Sequence, residues 1–290
     1  METNSQLKAG EKGAWISIFA YIILATIKLT IGKIGHSEGL WADGLNNSTD
    51  IIASIAVLIG LKIARKPPDD NHLYGHYRAE SIASLVAAFI MMSVGVNVII
   101  GGVQSFFSQH SSHPDWITAW TALFSAMVMF GVYRYNLSLS RKIKSASIKA
   151  VAYDNRSDAF VSIGAFIGIV GTYIGIPLLD VVAAVIVGLI ICRTAWHIFT
   201  EATHTLTDGF DQEQLLNIEK TIKETPGVLD VTDVKARTHG NYIFLETTIH
   251  VNPKLDVIES HRITEEIESL LKEKHEVENA FIHIEPFFDN

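Results

Sequence analysis

One cysteine, Cys192, stands in the 290 residues, and it lies in an apolar run. That excludes disulfide frameworks and Cys-rich zinc sites. Charge is scarce too: Asp, Glu, Lys and Arg make up 19% of the chain against 48% hydrophobic residues, and mean hydropathy is +0.26. An ordinary soluble domain is more polar, so several membrane spans plus a soluble part are expected. The basic footprint that nucleic acid requires is missing, since the net charge is −8. Also missing are an HExxH zinc-protease motif and a Gly-x-Gly-Asp signature, which weighs against an intramembrane hydrolase. No fixed-period repeat or low-complexity tract occurs. No small-residue cleavage site accompanies the first apolar run, which reads as a retained span rather than a signal peptide.

The charge that is present is unevenly spread. Up to Thr207 there are 15 Lys and Arg against 13 Asp and Glu; from Asp208 onward there are 8 against 18. A domain boundary therefore belongs near 208, with an apolar domain over 1–207 and an acidic one over 208–290. Six apolar segments are long enough, at the roughly 20 residues needed, to cross a bilayer core of about 30 Å: 14–34, 40–64, 79–106, 116–135, 148–174 and 177–199. Lys62, Arg65, Lys66 and Arg78 follow the second span, and Arg141, Lys142, Lys144 and Lys149 follow the fourth. The loops around His110 and Pro177 carry no Lys or Arg. By the positive-inside rule this is a multi-pass protein of the cell membrane with both termini cytoplasmic.

The tail alternates elements. Residues 212–224 read as a helix stopped by Pro226-Gly227. A strand over 231–238 sets Val234 and Ala236 against Asp233, Lys235 and Arg237, and a strand over 242–251 puts Ile243, Leu245 and Ile249 on one face. Asp256 and Glu259 resemble a capping box that opens a helix burying Ile263, Ile267 and Leu270; Ala280, Ile282 and Ile284 mark a last strand. The expected fold is an all-α six-span membrane bundle with a C-terminal α+β domain of order αββαβ.

Polar residues inside the apolar body carry the chemistry. In WADGLNNSTD, residues 41–50, Asp43, Asn46, Asn47 and Asp50 form one helical stripe at the front of an apolar run. In DNRSD, Asp154 and Asp158 repeat the pattern one turn apart. A carboxylate inside a bilayer costs about 2.5–3.5 kcal/mol or more, so it faces a partner, a cavity or an ion. Asp50 lies about 15 Å in from Leu40 at 1.5 Å per residue, and Asp158 lies similarly deep from Ile148, near the midplane where transporters hold substrate. Asn46, Asp50, Asp154 and Asp158 thus supply four oxygen ligands for one divalent ion. An all-oxygen set suits Mn²⁺ better than Zn²⁺. The plainer alternatives are a polar helix contact or a metal-free water path. Gly164, Gly168, Gly171 and Gly175 offer a small-residue face for helix packing.

Two further groups are candidate ligands. Asp69, His72 and His76 stand in the basic loop, either as a transition-metal site or as a solvated turn. The tail holds His239, His250, His261, His275, His283 and Glu285, of which strand alternation lets His250, His283 and Glu285 meet on one side of the sheet. Two other function classes stand beside transport: an intramembrane hydrolase using paired aspartates as acid and base, and a membrane-bound metal sensor in which only the tail matters.

At this point the chain resembles the cation diffusion facilitator family over nearly its whole length. The marks are ADGLNNSTD, KPPDDNHLYGHYRAES, DNRSD and the closing IHIEP. The resemblance implies a homodimer of six-span subunits with a ferredoxin-like cytoplasmic domain, exporting divalent metal in exchange for protons, with no enzymatic activity and no cofactor beyond the cargo. By position it implies a transport site of Asn46, Asp50, Asp154 and Asp158, and a loop site of Asp69, His72 and His76. It further implies a tail site of His250, His261, His283 and Glu285, and an interdomain charge pair of Arg78 with Asp208. Zinc-exporting relatives usually hold Asp or His at the slot of Asn46 and His at that of Asp154. A further tail histidine of those relatives corresponds to Thr232. The Asn-Asp-Asp-Asp set resembles the bacterial manganese branch, with Zn²⁺ or Fe²⁺ as the alternative cargo. Asp43 then becomes a pathway residue and Asn47 a packing neighbour.

Overall fold

The computed structural model describes residues 2–107, 115–176, 178–239 and 242–288. The loop about His110 and the residue Pro177 lie outside them. The chain divides into two units, Met1–Ala202 and Thr203–Asn290, each described by itself.

The first unit is helical: α1 (Glu2–Ile34), α2 (Glu38–Ala64), α3 (Arg78–Phe107), α4 (Trp116–Ile143), α5 (Ala146–Tyr173) and α6 (Leu178–Leu206). Among the described residues, five helical stretches are long and apolar enough to cross a membrane: Lys8–Ile34, Gly39–Ala64, Arg78–Gln104, Trp116–Ile143 and Val185–Leu206. The sixth helix, α5, has the length, at 28 residues. Its composition differs because it carries Lys149, Asp154, Arg156 and Asp158. The polar stretch ahead of the first expected span is helical too, Glu, Gln, Lys and Ala being good helix formers.

Apolar side chains point both inward and outward. Val57, Leu61, Ala87, Met91, Ile148, Val151 and Ile191 form a buried core. Phe19, Ile52, Phe89, Trp120 and Trp196 lie on the outer surface, each more than half exposed. Apolar residues on both sides of a helix suit lipid outside and protein inside. Helix α5 is anchored at its start. Ser145 caps it by accepting from the Ile148 N–H at 3.2 Å. Glu80 of α3 accepts from the hydroxyls of Ser145 and Ser147 and from the Ser147 N–H, a carboxylate where the helix dipole favours one. Gly44 lets α2 lie close on α1: a Cβ there would stand 2.9 Å from the Leu29 nitrogen and 3.0 Å from Lys28 Cβ. The small-residue face expected on α5 is shorter than the sequence suggests. Gly171 packs closely on Leu179, whereas Gly175 has φ +75° and turns the chain just past the helix.

The second unit contains α7 (Gln212–Lys223), β1 (Asp230–His239), β2 (Tyr242–Val251), α8 (Val257–His275) and β3 (Val277–Pro286). The sheet order is β1-β2-β3, antiparallel then parallel, with α8 as the crossover. Ile218 and Ile222 of α7 and Ile267 and Leu271 of α8 pack on Val231, Leu245, Ile249 and Val277, so both helices cover one face. The Asp256–Glu259 capping box is formed. Two details depart from the sequence pattern. Leu271, one turn beyond Ile267, is the fully buried residue, and Leu270 is only half-buried. Strand β1 contains a bulge between Thr232 and Lys235 with Asp233 at φ 55°. The extra residue shifts the inward parity from Val231 to Val234.

Candidate metal centre

Helical spacing puts Asp50 on the buried side of α2 and Asp154 and Asp158 on the buried side of α5, and these helices are neighbours. One carboxylate oxygen from each lies within 4.8 Å of the others. All three residues are less than 10% exposed. Asn46 joins them as a half-buried neighbour whose Nδ2 donates to Asp50 Oδ2 at 3.3 Å. Ligation through the Asn46 oxygen therefore requires its amide to turn. Asn47 is more than the packing neighbour expected, because its Nδ2 also donates to Asp50 Oδ2, at 3.3 Å. Asp50 Oδ1 is buried and has no hydrogen-bond partner among the described residues.

Residues that sequence reasoning passes over complete the surroundings. The Tyr21 hydroxyl of α1 lies 2.5 Å from Asp158 Oδ2 and 3.1 Å from Asp154 Oδ2. It accepts from Asn155 Nδ2 at 2.8 Å. Asn155 Oδ1 in turn accepts from Ser17 and from Asn136 Nδ2. On the other side stands Lys28, fully buried. Its ammonium pairs with Asp43 Oδ2 at 2.8 Å and donates to Asn47 Oδ1 at 2.7 Å and Ser162 Oγ at 3.0 Å. Asp43, expected beside the path, is thus half of a buried ion pair. A signal for Lys28 was available, since an ionisable residue well inside an apolar run is a functional candidate by default. Arg156 turns elsewhere: it donates to Thr194 and lies over the Tyr153 ring.

The loop residues also converge. Asp69 Oδ1 accepts from the His72 N–H at 2.7 Å and lies 3.0 Å from His72 Nδ1, while Asp69 Oδ2 is 3.5 Å from His76 Nε2. One ligand atom of each falls within 4.8 Å of the others. The hydrogen bond from the His72 side chain, supported by backbone N–H donors, holds the Asp69 carboxyl below its ordinary value. The turn therefore keeps its acceptor throughout mildly acid pH and loses it as pH falls through that lowered pKa, beneath the usual Asp value of about 3.9. The Asp69 carboxyl carbon shift of the metal-free protein, followed by NMR, should give a carboxyl midpoint below the usual Asp value. A midpoint above the usual value would contradict this.

In the tail, His250 faces Glu285 across β2 and β3 with Nε2 3.4 Å from Oε2, and His283 Nε2 lies 3.5 Å from the other Glu285 oxygen. His261 sits on α8 beside Glu265 at 3.6 Å. Among the described residues the tail set forms no cluster of three ligand atoms within 4.8 Å of one another. His239 packs near Phe244, and His275 shares a hydrogen bond with Thr221. Thr232 pairs in register with Thr248. Arg78 opens α3 and Asp208 stands at φ 60° just past α6, in different units.

Comparison with known proteins fits this geometry. Residues 14–207 match the cation efflux transmembrane domain, and residues 210–287 match the cation efflux protein cytoplasmic domain. The manganese efflux system protein MneS of Bacillus subtilis (strain 168) is 51% identical over 286 residues, covering 99% of each chain. The uncharacterized transporter YdbO of the same organism is likewise 51% identical over 286 residues and 99% of each chain. The manganese efflux system protein MneP, also of Bacillus subtilis, is 31% identical over 287 residues and 96% of each chain. The chain belongs to the cation efflux, or cation diffusion facilitator, family and is a multi-pass membrane transporter rather than an enzyme.

Proposed function

We propose that this protein exports divalent metal, Mn²⁺ above others, from the cytoplasm in exchange for protons. The observation that carries the reading is the convergence of Asp50, Asp154 and Asp158 in a buried site with no histidine ligand among the described residues. Three carboxylates so close, away from water, need compensating positive charge, which either a divalent ion or protons supply. Metal and proton therefore compete for one set of oxygens, and that competition is the basis of exchange. Hard oxygen donors favour Mn²⁺, and relatives similar over the whole chain are named for manganese efflux.

The cycle loads the ion on Asn46, Asp50, Asp154 and Asp158 from the cytoplasm. Rocking of the helices exposes it outside, and protonation of the carboxylates releases it. The basic loops after the second and fourth spans support cytoplasmic termini. The boundary at 207/208 separates the transport domain from a cytoplasmic domain that pairs in a homodimer. Metal at His250, His261, His283 and Glu285 draws the paired domains together and biases the conformational equilibrium. Asp69, His72 and His76 form a loop site.

Metal flux into proteoliposomes tests the reading. Mn²⁺ uptake driven by an opposing proton gradient is expected. Metal binding without flux would leave a sensor, and preferential Zn²⁺ or Fe²⁺ movement would reassign the cargo. Replacing Asn46 and Asp154 together by His should raise the Zn²⁺ to Mn²⁺ flux ratio about tenfold or more. An unchanged ratio would mean these ligands do not set selectivity.

A further inference from the structure

Lys28 has three N–H donors and three acceptors in reach, Asp43 Oδ2, Asn47 Oδ1 and Ser162 Oγ. Ser162 also donates to Asp43 Oδ2 at 3.0 Å. The network joins α1, α2 and α5 without including a transport ligand. Its chemical consequence lies at Asn47. A side-chain amide presents oxygen at one end and nitrogen at the other, and an ammonium can only donate. Lys28 therefore takes the oxygen, and the nitrogen is left facing Asp50. A flipped Asn47 would aim its oxygen at that carboxylate, giving either repulsion or an extra ligand for a bound ion.

We propose, resting on the metal-efflux reading above, that Lys28 is a positioning residue that locks the Asn47 amide with its nitrogen toward Asp50. The lock does two things. It directs the Asn47 N–H to Asp50 Oδ2, where Asn46 also donates, so Oδ1, without a hydrogen-bond partner among the described residues, is left for the ion. It also keeps the Asn47 oxygen out of the coordination shell, so Asn46 is the amide that turns to ligate. Asp43 balances the lysine's charge and so permits an ammonium to be buried there.

The test is Mn²⁺ binding to the full-length purified protein in detergent, measured as a double-mutant cycle. One arm is Lys28→Met with Asp43→Leu, which removes both charges and strands neither. The other arm is Asn47→Ala. Each should weaken Mn²⁺ binding about tenfold, the scale for residues that orient ligands. The combined protein should bind no more weakly than either arm, because Lys28 acts through Asn47. Losses that multiply, or unchanged affinity in the Lys28→Met, Asp43→Leu protein, would overturn the proposal, since a purely structural role gives independent effects. If that protein does not fold, Asn47→Ala decides alone, and unchanged Mn²⁺ affinity there overturns the proposal. Wild-type protein that binds Mn²⁺ yet moves none across a liposome would remove the efflux reading, while the cycle still judges Lys28.

Discussion

Asp50→Ala and Asp158→Ala should each reduce Mn²⁺ flux by about 100-fold or more. Substitutions behind a ligand typically cost about 10–100-fold, and these remove ligands. Each takes away one of three oxygens that meet within 4.8 Å and leaves two carboxylates to balance a doubly charged ion. Asp158→Ala also removes the nearer of the two carboxylates against the Tyr21 hydroxyl, leaving it Asp154 alone as acceptor. In cells the outcome is raised Mn²⁺ content and sensitivity to added Mn²⁺. Normal tolerance in a strain carrying either variant as its only copy would sink the site as assigned. Tyr21→Phe keeps the ring and removes the hydroxyl, so it should fall between wild type and the aspartate variants.

Lys28→Met alone should lower stability by about 3–5 kcal/mol, the usual cost of breaking a buried ion pair from one side. Asp43 would remain buried with Ser162 as the donor to Oδ2, and its Oδ1 already has no hydrogen-bond partner among the described residues. Adding Asp43→Leu should recover most of the loss, because a well-packed apolar pair replaces an ion pair at little net cost. Thermal unfolding in detergent provides the comparison. A Lys28→Met protein as stable as wild type would mean that Asp43 needs no cation.

The ligand set was legible because it is periodic: Asp50 follows Asn46 by one turn, Asp158 follows Asp154 by one turn, and both pairs interrupt apolar runs. What surrounds the set was not. Tyr21, Asn155, Asn136 and Ser17 act through contacts between helices, and each alone looks like an ordinary polar residue in a span. Lys28 stands out locally as a charge in an apolar run, but its partners Asp43 and Ser162 lie 15 and 134 positions away, so no local pattern names them. In the tail the alternation in β2 gave its buried face correctly. The bulge in β1 escaped because Asp233 takes a positive φ, which Asp tolerates better than most residues but adopts too seldom for its type alone to place a bulge. The tail histidines show a different limit. Alternation places His250, His283 and Glu285 on one face, but it says nothing of His261 on α8.

Helix α1 supplies none of the proposed ligands, yet it touches the site from both ends. Tyr21 reaches Asp158 and Asp154, and Lys28 reaches the network behind Asp50. They stand seven positions apart, two turns of helix or about 10.5 Å, so both side chains emerge from one face. The helix acts as a ruler laid along the site. Inserting or deleting one residue between Tyr21 and Lys28 would rotate one of them by about 100° relative to the other. The intervening residues Ile22–Ile27 can vary in identity at their lipid-facing positions, but their number is fixed.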